Sequence, residues 1–319
     1  MKLIIQIPCY NEAGQLAMTV AELPRQIPGV DIIEYLVIDD GSSDQTAEIA
    51  HGCGIHHIVK FTKHLGLARA FMAGIEKSLE QGADIIVNTD ADNQYFGGDI
   101  EKLVQPILEG RADMVVGQRP IENIEHFSRT KKYLQRLGSW LVRRVSQTDI
   151  QDAPSGFRAF SRTAASQLNI FSEYSYTLES IIQAGQNGLA VISVPIRING
   201  EIRPSRLVKS TFDYISQSVF TILRIFVAYQ PLKFFVTLGG ASFIIGLLIG
   251  LRFLWFYFEN NGAGHVQSLI LAALLLGGGF FLCIVGILAD IISVNRKLLE
   301  KIDNRLKQVE TKLNKENNG

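Results

Sequence analysis

Cysteine is scarce in this chain of 319 residues: there are three, Cys9, Cys53 and Cys283, with no paired spacing. That argues against a disulfide framework or a cysteine zinc site, and it fits a reducing compartment for the polar part of the chain. Net charge is also missing. The 31 basic and 31 acidic residues cancel, so no global field marks a nucleic-acid partner. Tryptophan occurs twice, at Trp140 and Trp255. There is no internal repeat, and the only low-complexity stretch is the polar end, Asn314 to Gly319. Met1 to Pro8 is too short and too quickly polar for a signal peptide and reads as a strand. What the chain has in excess is apolar residues, unevenly placed. Up to about Ile225 charged and apolar segments alternate, whereas Phe234 to Ile292 is nearly uncharged.

The first part reads as an α/β protein. Leu3–Ile7, Ile33–Ile38, Ile58–Phe61, Ile85–Val87 and Met114–Val116 are short apolar runs of strand length. Helical patterns separate them: one ends at Pro24 and Pro28, one runs through Ala47 and Ile49 with Ser43 or Asp44 as N-cap, and one spans Gly66–Leu79. Such alternation predicts βαβ units and a mostly parallel sheet with helices on both faces. Ligands in such sheets sit beyond the carboxyl ends of the strands, so polar clusters after strands one, two, four and five converge on one cleft.

Asp90-Ala91-Asp92-Asn93-Gln94 follows the fourth strand. Alternate residues leaving an extended segment point the same way. Asp90 and Asp92 can therefore form a hard oxygen site for Mg2+ or Mn2+, shared with a substrate diphosphate. An acidic turn closing a strand explains the same letters. Asp39-Asp40-Gly41-Ser42 is equally readable as a turn or as an acidic group for the base or ribose of a nucleotide. Gly52-Cys53-Gly54 lies beyond a helix and completes no phosphate-binding fingerprint; His56 and His57 lack ligand spacing and read as structural.

Pro8-Cys9-Tyr10-Asn11-Glu12, Asp39-Asp40-Gly41-Ser42-Ser43-Asp44 and Asp90-Ala91-Asp92-Asn93-Gln94 together resemble, in order and spacing, three signatures of the family 2 glycosyltransferases. Val116-Gly117-Gln118-Arg119 and Ser155-Gly156-Phe157-Arg158-Ala159-Phe160 resemble two more, from the polyprenyl-phosphate branch that includes dolichol-phosphate mannose synthase. The resemblance spans roughly residues 1 to 230. It implies a GT-A type fold, a nucleotide-sugar donor, a divalent metal and an inverting transfer. It also implies nucleoside contacts from Pro8, Tyr10, Glu12 and Asp39, and metal and diphosphate contacts from Asp90, Asp92 and Gln94. His64 departs from the pattern, which usually shows Asn there.

A lipid phosphate acceptor would arrive largely ionised, because a phosphomonoester's second pKa is about 6. The enzyme then needs arginines to position anions more than it needs a general base. Arg119, Arg129 and Arg206, with Ser205, are the candidates for the acceptor phosphate, and Arg203 stands beside them. A solvated basic face is the alternative. Ser205-Arg206 resembles a Ser-Lys acceptor signature of the family. Asp152 and Glu179 stand near the motifs, where pairing with Arg158 or a neighbour is as good a reading as catalysis.

The organisation expected is a catalytic domain over 1–207, interfacial amphipathic helices over 208–231, a transmembrane hairpin at about 232–258 and 266–292, and a tail helix over 293–319. The link Glu259–His265 lacks Lys and Arg, while Arg224, Lys233, Arg296, Lys297 and Lys301 flank the pair. The positive-inside rule then puts both termini and the catalytic domain on the cytoplasmic side of the inner (plasma) membrane. Trp255 and Tyr257 would sit in the far interface with Arg252 snorkelling there, and Gly277-Gly278-Gly279 would permit close helix approach. Leu298, Ile302, Leu306, Val309 and Leu313 recur at heptad-like spacing, so the tail either packs on the catalytic domain or self-associates. Self-association is favoured, giving a homo-oligomer, with a tetramer suggested by similar polyprenyl-phosphate glucosyltransferases. The function expected is transfer of one hexose, from UDP-glucose before GDP-mannose or a UDP-N-acetylhexosamine, to polyprenyl phosphate of undecaprenyl or dolichyl type. A processive polysaccharide synthase should show Gln-x-x-Arg-Trp and more membrane helices, and the sequence has neither. A non-catalytic scaffold or transporter subunit is the reading from another class; the carboxylates at Asp39, Asp90 and Asp92 count against it.

Overall fold

A computed structural model describes residues 1–120, 129–170, 176–199, 220, 223–224, 227–260 and 266–317. The chain divides into two compact units, Met1–Ser218 and Val219–Gly319.

The first unit is built on seven strands: β1 (Lys2–Cys9), β2 (Ile32–Asp39), β3 (His57–Lys60), β4 (Ile85–Asn88), β5 (Met114–Gln118), β6 (Arg158–Ser161) and β7 (Val191–Pro195). Their order in the sheet is β3-β2-β1-β4-β6-β5-β7. The helices are α1 (Leu16–Glu22), α2 (Thr46–Gly52), α3 (Leu67–Glu80), α4 (Ile100–Leu108), α5 (Arg129–Ser146), α6 (Arg162–Ser166) and α7 (Tyr176–Gln186). Strand residues alternate between two covered faces. Leu3, Ile5, Ile7, Val37, Val87 and Val115 pack with Leu16 and Val20 of α1 and Leu103 and Val104 of α4. Ile4, Ile38, Ile86 and Phe160 are buried on the other side, where Phe71 of α3 meets Phe160 edge-on.

The sheet is mostly parallel, and β6 is the exception. It runs antiparallel to both β4 and β5. Five strands are legible as apolar runs. β6 and β7 are not, because β6 begins with a buried arginine and β7 is a short half-buried run at the sheet edge. The reversal of β6 has a functional consequence. Cys9 pairs with Asp39 and Gln6 with Asn88, so β1, β2 and β4 all deliver their loops to one edge. β5 delivers Arg119 there as well. An antiparallel β6 must bring its beginning to that edge, which adds Ser155, Gly156 and Arg158.

In the second unit, α8 (Pro231–Asn260) and α9 (Val266–Asn317) are both long and apolar enough to cross a membrane. Their backbones touch at small residues. A Cβ on Gly239 would lie 2.7 Å from the Gly279 carbonyl oxygen, and one on Gly279 would lie 2.6 Å from that of Gly239. Ser242 Oγ also donates to the Leu275 carbonyl at 3.0 Å. Of the three consecutive glycines only Gly279 serves the approach; Gly277 and Gly278 meet nothing nearby. α9 continues unbroken into the tail that was expected as a separate helix, since Asp290 to Asn317 holds no Gly or Pro to stop it. Most of the segment expected to be interfacial lies outside the described residues, as do residues 261–265 of the link.

Candidate active site

The loops after β1 and β2 are stitched together before any ligand is considered. Asn11 takes a left-handed backbone (φ 55°), its amide nitrogen donates to Ser42 Oγ at 2.9 Å, and its side-chain oxygen accepts from the Ser43 amide at 2.9 Å. The Glu12 amide donates to Thr46 Oγ1 at 2.9 Å, and the Ala13 amide to Asp44 at 3.2 Å. Ser43 or Asp44 is the helix cap that the sequence predicts. The N-cap position belongs to Gln45, and Asp44 instead binds the amide and hydroxyl of Thr46. Those hydrogen bonds hold its carboxyl below the usual range against the opposing effect of burial, the largest single influence.

Asp39 and Asp40 end up with different tasks. Asp39 is fully buried; one oxygen accepts from the Ser42 amide at 2.9 Å. Its other oxygen has no hydrogen-bond donor among the described residues, with Lys60 Nζ 3.9 Å away. Asp40 organises the loop before α3, accepting from the Leu65 amide at 2.7 Å, the Gly66 amide at 2.9 Å and His64 Nδ1 at 2.8 Å. His64 in turn stacks on Tyr10, ring centroids 4.0 Å apart. The residue that departs from the family pattern is therefore part of the site, forming a half-exposed aromatic pair with a residue of the first motif. Pro8 is the next-to-last residue of β1, in register with Ile38.

Asp90 and Asp92 come together as the alternation requires. Burial and then the charge of Asp92 push the Asp90 carboxyl up to about 7, while the charges of Arg119 and Arg158 and a hydrogen bond from Tyr95 oppose the rise. Asn93 adopts a left-handed backbone (φ 57°) at the turn between Asp92 and Gln94. That turn is latched from outside. Asn199 Nδ2 donates to Glu22 at 2.9 Å and to the Asn93 carbonyl at 3.1 Å, and the Asn199 amide donates to the Gln94 carbonyl at 2.8 Å. Asp99 anchors the same strap through Arg197, and those hydrogen bonds hold its carboxyl down at about 2 although burial pulls the other way.

Behind Asp90 stands a wall in which Gly156 lies close to the carboxylate. A Cβ there would lie 3.0 Å from both Asp90 carboxylate oxygens and 2.9 Å from the Tyr176 hydroxyl. The Gly156 amide donates to the Tyr95 hydroxyl at 3.0 Å, and its carbonyl accepts from Asn88 Nδ2 at 2.9 Å. Tyr95 lies flat on Phe157 with centroids 4.9 Å apart.

The arginines divide. Arg119 forms a two-pronged ion pair with Asp152, Nε to Oδ2 at 2.7 Å and a terminal nitrogen to Oδ1 at 2.9 Å, and its charge still reaches Asp90. Asp152 thus pairs with Arg119 and not with Arg158. Arg158 is wholly buried and held by four neutral oxygens: those of Ser155, Ala153 and Thr177 and the Ser180 hydroxyl, at 2.5–2.7 Å. Burial draws its pKa down to about 10, so it remains a cation at neutral pH. Glu179 is buried on α7. Arg129 begins α5, and Arg203, Ser205 and Arg206 lie outside the described residues.

Residues 4–168 match the family described as glycosyl transferase family 2. The chain belongs to that family. Two relatives of this glycosyltransferase carry names from the polyprenyl-phosphate branch. Polyprenol monophosphomannose synthase of Mycolicibacterium smegmatis is 27% identical, covering 60% of this chain and 76% of its own. UDP-N-acetylglucosamine–dolichyl-phosphate N-acetylglucosaminyltransferase of Methanococcus voltae is 33% identical, covering 60% of this chain and 83% of its own. Among solved structures, glucosyl-3-phosphoglycerate synthase from Mycobacterium tuberculosis, in complex with Mn2+, UDP and phosphoglyceric acid, matches with a TM-score of 0.54. It covers 70% of this chain and 77% of its own at 19% identity, a likeness of the GT-A type fold.

Proposed function

We propose that this glycosyltransferase moves one hexose from a nucleotide-diphosphate sugar, UDP-glucose first among the candidates, to a polyprenyl phosphate at the cytoplasmic membrane face. The observation that carries the reading is the joint position of Asp90, Asp92 and Arg119 at the strand edge that also holds Asp39. Each is close enough to Asp90 for its charge to matter or shares its strand edge. The names of the relatives supply the acceptor class.

In this reading the buried Asp39 oxygen that lacks a donor accepts a hydrogen bond from the base or ribose, with Pro8, Tyr10 and Glu12 around the nucleoside. An all-oxygen donor set of Asp90, Asp92 and Gln94, completed by substrate oxygens, suits Mg2+ or Mn2+. A bound divalent ion would neutralise charge on the departing diphosphate. Arg119, oriented by Asp152, holds the acceptor phosphate, with Arg129, Ser205 and Arg206 as further ligands. A phosphate oxygen of the acceptor attacks the sugar's anomeric carbon. The bond from that carbon to the nucleoside diphosphate breaks, and the configuration inverts. No protein base is needed, because the nucleophile is already an anion.

α8 and α9 would cross the bilayer with both chain ends cytoplasmic, by the placement of Lys and Arg. Leu298 and Ile302 are exposed on α9 and fit a homo-oligomer, for which a tetramer is the form proposed. Cross-linking in native membranes that captured only monomer would remove that part. The main test supplies radiolabelled nucleotide sugars and polyprenyl phosphate with and without Mg2+ or Mn2+. Lipid-linked sugar formed from one donor, and only with metal, is expected. No product from any donor ends the reading.

A further inference from the structure

Helix α5 carries a face that its packing does not use. Its 18 residues include six basic ones, Arg129, Lys131, Lys132, Arg136, Arg143 and Arg144, and no acidic one. Leu141, Val142 and Val145 are buried and fix which side turns inward. Tyr133, Leu137 and Trp140 follow at steps of four and three, which places them on one stripe of the helix. They remain 66%, 37% and 52% exposed. At 3.6 residues per turn Arg136 and Arg144 fall on that same exposed stripe. None of the nucleotide, metal or acceptor roles proposed above is given to Tyr133, Arg136, Leu137, Trp140 or Arg144.

The composition selects the occupant. An aromatic stripe among arginines, with no carboxylate, matches the headgroup region of an anionic bilayer, where Trp and Tyr rings settle and basic residues meet lipid charge. A second copy of the same face is a poor match. A twofold pairing would set the basic residues of this helix, which has no acidic residue, against their own equivalents. We propose that the Tyr133–Leu137–Trp140 face of α5 docks the catalytic unit on an anionic lipid surface, as a membrane contact separate from the two apolar helices. The purpose of such docking rests on the reading above, in which the acceptor is a lipid. The binding itself is a property of α5.

Trp140 reports on it directly. Trp255→Phe leaves Trp140 as the one tryptophan in the full chain. That variant is reconstituted into vesicles of phosphatidylcholine alone or with phosphatidylglycerol, each containing lipids brominated near the headgroup. In vesicles with phosphatidylglycerol the Trp140 emission should shift to the blue and be quenched; in phosphatidylcholine alone it should not. Adding Arg136→Gln and Arg144→Gln should weaken docking roughly twenty-fivefold, about fivefold per basic residue lost. Tyr133→Ser, which removes apolar area and no charge, should weaken it severalfold. Equal quenching in the two vesicle types, or none in either, overturns the proposal. So does disulfide capture of two copies through Leu137→Cys with Trp140 unquenched, which would assign the face to an interface between protomers. No sugar donor enters this experiment, so its outcome is independent of the transferase assay.

Discussion

Binding of a divalent cation to this protein should release a proton, by an amount the geometry sets. Asp90 sits at about 7 because it is buried and because Asp92 lies beside it. A carboxylate must be ionised to ligate a cation, so binding at or below that pH displaces a proton. For a free-state value of about 7 and full ionisation in the complex, about 0.9 proton leaves per cation at pH 6, about 0.5 at pH 7 and about 0.1 at pH 8. The apparent affinity should then fall roughly tenfold from pH 8 to pH 6. Stability runs in the matching sense. An acid whose folded-state value is raised binds more protons folded than unfolded between about pH 4 and 7. Stability without cation therefore declines as pH rises through that window, and added Mn2+ restores it. Titration calorimetry of Mn2+ into the full chain, repeated in buffers of different ionisation enthalpy, gives the proton count as a slope. Asp92→Asn removes the second cause of the shift, so proton release at pH 7 should drop along with affinity. A proton count near zero at pH 6, or an affinity that does not change from pH 6 to 8, would refute the argument.

Three further outcomes follow from contacts in the site. Gly156→Ala puts a methyl group 3.0 Å from both Asp90 oxygens and should lower kcat about tenfold to a hundredfold. A wild-type kcat, with a thermal midpoint that confirms folding, would show that Asp90 tolerates displacement. His64→Ala removes the ring stacked on Tyr10, worth about 0.5–1.5 kcal/mol, so KM for the donor should rise roughly two- to tenfold with kcat nearly unchanged. An initial-rate series over donor concentration distinguishes this from a fall in kcat, which the stacking argument does not allow. Asn199→Ala cuts the side-chain latch on the Asp92–Gln94 turn; stability should fall by about 1–3 kcal/mol, and Mn2+ affinity should weaken with it. Denaturant unfolding and calorimetry on the same sample check both, and loss of stability alone would make the latch merely structural.

The parts of the fold that rest on local pattern were legible. Ile4, Ile5, Ile86 and Val87 are continuous apolar runs because their strands are covered on both faces, and such runs need no partner in the sequence to be noticed. The acidic turn after β4 was visible for the same reason, since alternation alone puts Asp90 beside Asp92. β6 was hidden. Its first residue, Arg158, is charged and fully buried, and its cost is offset by oxygens from Ala153, Thr177 and Ser180, some of which lie far along the chain. The Asn199 latch was equally invisible, because Asn199 is more than a hundred residues from Asn93 and no periodicity links them. His64 gave a signal only as a departure from a motif. Its stacking partner and its hold on Asp40 came from the fold.

The sequence suggested that the arginines of this site work on the acceptor phosphate, and the fold divides that work. Arg119 is locked in a two-pronged pair, so much of its charge is already balanced by Asp152. Arg158 has no such balance, and sinking a guanidinium among neutral oxygens costs several kcal/mol unless a charge elsewhere answers it. Part of the answer is the charge of Asp152, which favours the Arg158 cation; Arg158 in turn favours ionisation of Asp90, less strongly than Arg119 does. Left to burial and Asp92 alone, Asp90 would hold its proton more tightly and compete less well for a cation at neutral pH. Arg158 acts in the other direction from a fully buried place, with its orientation fixed by four acceptors. A lysine there would carry the charge and could not satisfy that planar set. Arg158 thus adds, beside Arg119, to the positive charge that favours the Asp90 carboxylate.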